Sequence, residues 1–505
     1  MRRMEVAPKF FVYVINIFGC LHDVFLSTLV RVDQMVKRVF FDSSPNKYKE
    51  NIVMPQSPTP YSGSPPVQAT STLDNYFNVS RRGSSVKTEV LAGIATFLAG
   101  MYIIVVNPAI LSDAGIPFSA ALSATVVISF FSSLAMGLYA RNPILVAPGM
   151  GMNALFTYTL VLGAGLSWEV ALGCVFWSGV LFAVLALFNV REAIIEAIPA
   201  SLRYAITCGI GLFITFIGLK NAGFIIANPA TLISLGDLNA SLITFFIGLM
   251  ATAILAIRGF NGALILGIAL TTLLAIPMGR LWSDDVLVAW QGLAAWPDFS
   301  AVMKVDILGA LKVAYLPFIF VMLFTNFFDS LSCFMALSES ADLKDANGNP
   351  RNLKRSMTVD AFASMIAAPL GTSAAQTFIE SGAGVAQGGR TGLTAVVIGV
   401  LFLPFLFLSP LLSLVPSIAT APALVLVGLF MMAPIGKIDW SRLEEAFPAF
   451  LAIILMPLTY SITLGIAFGF ISFVLIRLAT GKLDEIKPAM WVSALLAVVM
   501  LLTAQ

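Results

Sequence analysis

From Thr88 onward the chain is a succession of apolar runs about 20 residues long, and that repeat limits what it can fold into. A helix rising about 1.5 Å per residue crosses a hydrocarbon core of about 30 Å in about 20 residues. Lipid offers no partner to unpaired backbone groups, so each run must be helical unless protein or a wet cavity encloses it. The runs fall near residues 88–110, 119–140, 143–163, 168–190, 199–219, 238–257, 261–279, 306–337, 356–370, 371–386, 391–415, 417–435, 445–462 and 463–480. A last run, 489–502, is slightly short and either spans or lies at the interface. The expectation is an all-α polytopic membrane protein of about 14 transmembrane spans. Composition agrees: 58% of the 505 residues are hydrophobic and 11% are charged, against about 25% charged in soluble domains.

The totals also exclude function classes. A net charge of +2 carries no electrostatic footprint for nucleic acid. Cys20, Cys174, Cys208 and Cys333 are scattered and His22 stands alone, so neither a metal site nor a disulfide framework is expected. A single histidine also removes the usual general base of a hydrolase. Residues 1–72 read as an N-terminal extension, partly disordered: 43–72 is rich in Ser, Pro, Thr and Asn, while Phe10 to Val30 is apolar but interrupted by Asn16, His22 and Asp23. Residues 73–505 form the membrane domain.

Loop charge gives the orientation. With the N-terminus in the cytoplasm, Arg81, Arg82, Lys87, Arg141, Arg191, Arg258, the Lys344–Arg355 group, Arg390, Lys437, Arg442, Arg477 and Lys482 all fall inside. The outer loop 280–305 is acidic, with Asp284, Asp285 and Asp298, and carries Trp282, Trp290 and Trp296.

The third and tenth runs are broken near their starts by Gly or Pro. One opens with Asn142-Pro-Ile-Leu-Val-Ala-Pro-Gly-Met-Gly-Met-Asn-Ala, the other with Ala368-Pro-Leu-Gly-Thr-Ser-Ala-Ala-Gln-Thr-Phe-Ile-Glu, and both lead to a polar turn and a further span. They lie seven runs apart, and an odd number of spans per repeat inverts the second copy. Broken spans in corresponding positions point to the binding site of a carrier. Repeat one covers about 88–280 and repeat two about 306–480.

Three polar residues stand out. Asn153 follows the glycines of the first broken run, where a half-helix N-terminus offers N–H donors; a helix cap explains it equally well. Asp329 lies late in the eighth run beside Asn326 and Ser330, and reads as a site carboxylate or as a charge at the cytoplasmic boundary. Glu380 is a carboxylate in a Gly-rich stretch between apolar segments, a functional position by default. A planar heterocycle with N–H and C=O groups suits such a set. Phe156, Phe327 or Phe378 would offer a stacking face, although most of the 39 Phe must be core or lipid-facing. A carboxylate in low dielectric holds a proton readily, which makes Glu380 and Asp329 proton-coupling candidates.

At these residues the chain resembles the AzgA-like purine permeases, a branch of the nucleobase–cation symporters within the xanthine/uracil permease superfamily. The motifs are Ala147-Pro-Gly-Met-Gly-Met-Asn-Ala-Leu-Phe, Phe328-Asp-Ser, Ile379-Glu-Ser and Gly388-Gly-Arg-Thr-Gly-Leu-Thr-Ala, with Leu73-Asp-Asn-Tyr-Phe and Arg82-Gly-Ser near the start. The resemblance implies two inverted seven-span repeats forming a core domain (spans one to four and eight to eleven) and a gate domain. It also implies proton-driven uptake of adenine, guanine or hypoxanthine by alternating access, with no cofactor beyond the coupling proton. Substrate-binding positions carry over to Asn153, Asp329 and Glu380, with the backbone of Gly151, Thr372 and Ser373 nearby. The partners implied are a purine base and the lipid bilayer of a bacterial inner membrane, with a homodimer possible. Ser332-Cys333 stands where many members have Gly-Thr, which leaves the preferred purine open. The alternatives are a uracil, xanthine or other small-solute carrier of the same fold, an ion channel, or a polytopic membrane enzyme. The enzyme reading lacks clustered ligands in its longest acidic loop.

Overall fold

A computed structural model describes residues 72–187, 199–229, 231–282, 292–341, 343 and 350–503. The N-terminal extension, the loop arginine Arg191, Asp284, Asp285, Trp290 and residues 344–349 lie outside the described residues.

Each expected run has a structural counterpart. Span one is Val86–Gly100 continuing, after a turn at Met101 and Tyr102, as Ile103–Asp113. Span two is Phe118–Ala135, widening into a π turn over Met136–Ala140. Span three is a strand, β1 (Val146–Pro148), then helix Met150–Ala154 and a π segment Leu155–Val161. Spans four to seven are Trp168–Leu187, Ala200–Asn221, Ala240–Ile257 and Ala263–Trp282. A hairpin of β2 (Ile225–Asn228) and β3 (Leu232–Leu235) joins five to six. Spans eight and nine are Leu316–Ala341 and Leu353–Leu370. Span ten is a strand, β4 (Ala375–Thr377), a turn at Ile379–Ser381 and helix Gly382–Ala386. Span eleven is Gly392–Phe402 with a tighter turn over Leu403–Phe407, and span twelve is Ser417–Met431 with a similar turn over Ala433–Lys437. Spans thirteen and fourteen are Leu443–Leu458 and Ile462–Ala479. Among the described residues, eight helices are long and apolar enough to cross a bilayer by themselves.

Local chemistry sets several of these boundaries. Ser85, Asn239 and Ser461 accept a hydrogen bond from the backbone N–H three residues on, satisfying a donor that a helix start leaves open. Span eight begins at Leu316, not at residue 306. Asp306 Oδ1 accepts from Gly309 N at 2.8 Å, and the charged Asp306 and Lys312 stay outside the helix, beside two short 3-10 turns (Gly309–Leu311 and Val313–Tyr315), ahead of Pro317, which suits a first helical turn. The terminal run forms a 16-residue helix, Pro488–Thr503, packed on span fourteen. At about 24 Å it is shorter than the hydrocarbon core of about 30 Å.

Packing divides the chain into two groups of helices. Span four packs on nine and eleven on two; four also meets eight, and eleven meets one. In the other group six packs on seven, thirteen on fourteen, five on thirteen and twelve on six, while five and twelve pack on each other. Exchanging the two halves of the chain leaves this pattern unchanged, as an inverted seven-span repeat requires. The first group is the core and the second the gate. Small residues let the core helices cross closely: a β-carbon on Gly137 of span two would lie 2.5 Å from Gly392 O of span eleven, and one on Gly179 of span four 2.5 Å from Met365 N of span nine.

Among the described residues, the broken spans depart from an all-helical fold where the repeats meet. β1 and β4 pair antiparallel, with Val146 opposite Thr377, Ala147 opposite Gln376 and Pro148 opposite Ala375. Both strands are fully buried in protein. Each broken span thus satisfies its exposed backbone on its repeat mate, the condition under which extended chain is tolerated there. The loop arginines gather as the charge pattern requires. Arg351 Nη2 donates to Arg390 O at 2.8 Å and Arg141 O at 3.3 Å, and Arg82 Nη1 donates to Arg390 O at 3.5 Å. Residues far apart in sequence therefore share one side of the molecule. On the opposite side, Ser119 Oγ at the start of span two donates to Asp298 Oδ2 at 2.6 Å. That bond, with those from Ser300, holds the Asp298 carboxyl below its ordinary range.

Candidate functional site

A cavity of about 340 Å³ lies between core and gate at the broken spans, within the usual range of about 300–1,000 Å³ for small-molecule sites. One face of span eight forms part of its core wall: Asp329, Ser332, Cys333 and Ala336 recur at helical spacing and all line it. Span ten contributes Gln376 through Glu380, span three contributes Met150 and Gly151, and span one contributes Tyr102 from the turn that interrupts it. The gate wall is Tyr204 and Thr207 of span five and Val427, Phe430 and Met431 of span twelve, with Lys437 at the mouth.

Both site carboxylates are half-buried, and each is held by an uncharged donor. Tyr102 OH donates to Glu380 Oε1 at 2.8 Å, and Gln376 Nε2 donates to Asp329 Oδ2 at 2.6 Å. The strand–turn–helix of span ten carries both Gln376 and Glu380 to the cavity, so the pairing of β1 with β4 fixes their position. Met150 and Gly151 belong to the first turn of a half-helix, whose N–H groups have no intrahelical acceptor. Gly151 also faces the gate: a β-carbon there would stand 3.1 Å from Ile210 Cγ2 of span five. Such a wall can accept N–H groups of a ligand at the carboxylates and offer it donors from backbone, Thr207 and Ser332.

Of the residues singled out in the sequence, Asp329, Glu380 and Gly151 line this cavity. Asn153, Thr372 and Ser373 are fully buried and are not among its lining residues. They brace the core instead. Ser373 Oγ donates to Asn153 Oδ1, joining span ten to span three, and Asn107 Nδ2 donates to Thr372 Oγ1 at 3.0 Å. Of the three phenylalanines, Phe378 lines the cavity, while Phe156 and Phe327 are core.

Sequence reasoning passed over Gln376, Tyr102, the gate residues and a further buried carboxylate, Asp360. Gln376 and Asp360 carried the same signal as Glu380, a polar side chain at membrane depth. Tyr102 and Tyr204 carried none. Glu89 was also passed over. It is fully buried in span one and accepts from Arg390 N at 2.9 Å, Thr391 N at 3.2 Å and Thr394 Oγ1 at 2.6 Å, holding the start of span eleven.

An interrupted pair of repeat-related spans, meeting at a half-polar cavity between a core and a gate, defines a multi-pass membrane carrier. The transmembrane domain of a cyanobacterium bicarbonate transporter, BicA, shares the fold: TM-score 0.58, 15% identity, covering 75% of this chain and 96% of that one. SLC26A9 matches with TM-score 0.55 at 12% identity, over 81% of this chain and 68% of that one. The chain belongs to the permease family of the xanthine/uracil permeases, whose model matches residues 87–468, and it is accordingly a transporter rather than an enzyme. The adenine permease AdeP of Escherichia coli K12 is 41% identical over 427 residues, 84% of this chain and 94% of the relative. The guanine/hypoxanthine permease PbuO of Bacillus subtilis 168 is 41% identical over 429 residues, 83% of this chain and 98% of the relative.

Proposed function

We propose that the protein imports purine nucleobases (adenine, guanine or hypoxanthine) by proton symport through alternating access, across a bacterial inner membrane with its N-terminus in the cytoplasm. The observation that carries this reading is the pair of cavity carboxylates, Asp329 and Glu380, each held by one neutral donor and each free to accept N–H bonds from a purine. Relatives at about 40% identity named as adenine and guanine/hypoxanthine permeases support it. A sulfate-like anion would be repelled by this wall. Lys437 lies on the side assigned to the cytoplasm, so the cavity described is the inward-open one; rocking of the core against the gate would close it there and open it outside.

The test is uptake of radiolabelled adenine, guanine, hypoxanthine and uracil in cells lacking their own purine carriers, with and without a protonophore. Saturable purine uptake that collapses with the protonophore is expected. Glu380→Gln should abolish high-affinity uptake while leaving membrane abundance intact, and normal uptake by that variant would remove Glu380 from the site. Uptake of uracil alone, or of no base by protein present in the membrane, would overturn the substrate assignment.

A further inference from the structure

A carboxylate takes two donors side by side only when both of its oxygens are open to them. Among the described residues lining the cavity, neither carboxylate meets that condition. Gln376 Nε2 donates to Asp329 Oδ2 at 2.6 Å, and Tyr102 OH donates to Glu380 Oε1 at 2.8 Å. The Gln376 contact is closely fitted. The β1–β4 register sets Gln376 opposite Ala147, and its side chain is 6% exposed. Its amide lies on Gly149, the residue that follows β1: a β-carbon there would collide with Gln376 Cγ, Cδ and Nε2. Gly149 has φ −79° and ψ 137°, a conformation open to any residue, so the amide rather than the backbone calls for glycine.

Gln376 Oε1 is buried and has no hydrogen-bond partner. Buried amide oxygens are normally bonded. Turning the amide over would set that oxygen against an oxygen of Asp329, so Oε1 is left unpaired once Nε2 is committed to the carboxylate. An unbranched apolar side chain would pack on Gly149 without an orphaned oxygen, so packing does not account for the amide. What the amide does is occupy Asp329 Oδ2. The purines differ at that point. Guanine carries N1–H and its 2-amino group side by side, a donor pair that matches both oxygens of one carboxylate. Adenine and hypoxanthine lack the 2-amino group. Each presents its donors singly, the 6-amino group or N1–H on one ring and the imidazole N–H on the other. Two carboxylates, each with one oxygen already engaged, suit such donors one at a time. On Asp329, guanine would set one donor and leave its neighbour without an acceptor, which costs affinity.

We propose that Gln376 is a specificity-determining residue: by occupying Asp329 Oδ2 it limits that carboxylate to a single N–H and sets the site for adenine and hypoxanthine over guanine. This rests on the purine reading above and narrows it. Gly149 is the positioning residue, because its missing side chain is what lets the amide reach Asp329.

The test is equilibrium binding of tritiated adenine, hypoxanthine and guanine to the purified full chain. The quantity read is the affinity for guanine relative to the better bound of the other two, which a general loss of packing would leave unchanged. In the wild type guanine should bind at least about 5-fold more weakly. Gln376→Met keeps an unbranched side chain on Gly149 and removes the donor, and should raise the relative affinity for guanine at least about 5-fold. Gly149→Ala pushes the amide off Asp329 while keeping every polar side chain, and should shift the ratio the same way. Retained binding of adenine or hypoxanthine shows that a variant is folded. A ratio within about 2-fold of wild type in both folded variants overturns the assignment and leaves the purine reading standing. A wild type that prefers guanine does the same. Loss of all three bases in both variants, with monodisperse protein, makes Gln376 a general requirement for binding and also overturns it. A wild type that binds none of the three removes the purine reading and this inference together.

Discussion

Replacing Tyr102 by Phe removes one oxygen and tests how the cavity holds Glu380. The hydroxyl donates to Glu380 Oε1 at 2.8 Å, from the turn that interrupts span one. A hydrogen bond to a charged acceptor contributes about 1.5–3 kcal/mol. Glu380 is half-buried in the cavity wall, so water can replace part of that bond, leaving about 1–2 kcal/mol as the loss of positioning. At about 1.4 kcal/mol per tenfold, purine affinity should fall about 5- to 30-fold. The ring itself stays: Tyr102 is 1% exposed and lies 6.5 Å, centroid to centroid, from Phe378. Thermal stability should therefore barely move. Equilibrium binding of hypoxanthine to purified protein, together with the KM of uptake, reads the effect. An affinity within about 2-fold of wild type, in a folded variant, would mean that Tyr102 does not position Glu380 for substrate and would refute the argument.

Three further changes address the scaffold. Glu89→Ala strands two backbone donors and one hydroxyl at the start of span eleven, at a cost of about 3–5 kcal/mol by analogy with breaking a buried polar pair; the melting temperature should fall clearly, and an unchanged one would show that Glu89 caps nothing of consequence. Gly137→Val should yield no monodisperse protein on size exclusion, because its β-carbon would lie 2.5 Å from Gly392 O and neither backbone can yield; a normal elution profile would contradict the close crossing of spans two and eleven. Asp298, whose folded-state pKa is depressed by Ser119, contributes stability above its unfolded pKa of about 4 and loses it as pH falls through the lower folded value. Ser119→Ala should therefore be less stable than wild type at neutral pH, with the difference shrinking on acidification. A gap that grows instead would assign the wrong sign to that bond.

The spans were legible because lipid imposes a length and a composition that single residues cannot override. The same rule found Asp329 and Glu380, since a charge within an apolar run needs a reason to be there. It applied equally to Asp360 and Glu89, which the sequence argument passed over because they stand near the start of their runs, where a charge reads as a boundary. Asn153, Thr372 and Ser373 show the opposite limit. Their place in the broken spans was clear, but whether a side chain in such a segment faces the ligand or the opposite repeat depends on the strand register. Here Ser373 and Asn153 face each other.

The sequence alone determined the order of the apolar segments and the two places where the helix must break, because each follows from local composition against a slab of fixed thickness. The tertiary structure alone decided what fills the break. β1 pairs with β4 across more than two hundred residues of chain. Tyr102 meets Glu380 across 278 positions, and the gate wall is brought opposite both. Those contacts join residues that no local pattern links, and only the packing of one repeat against its inverted copy creates them.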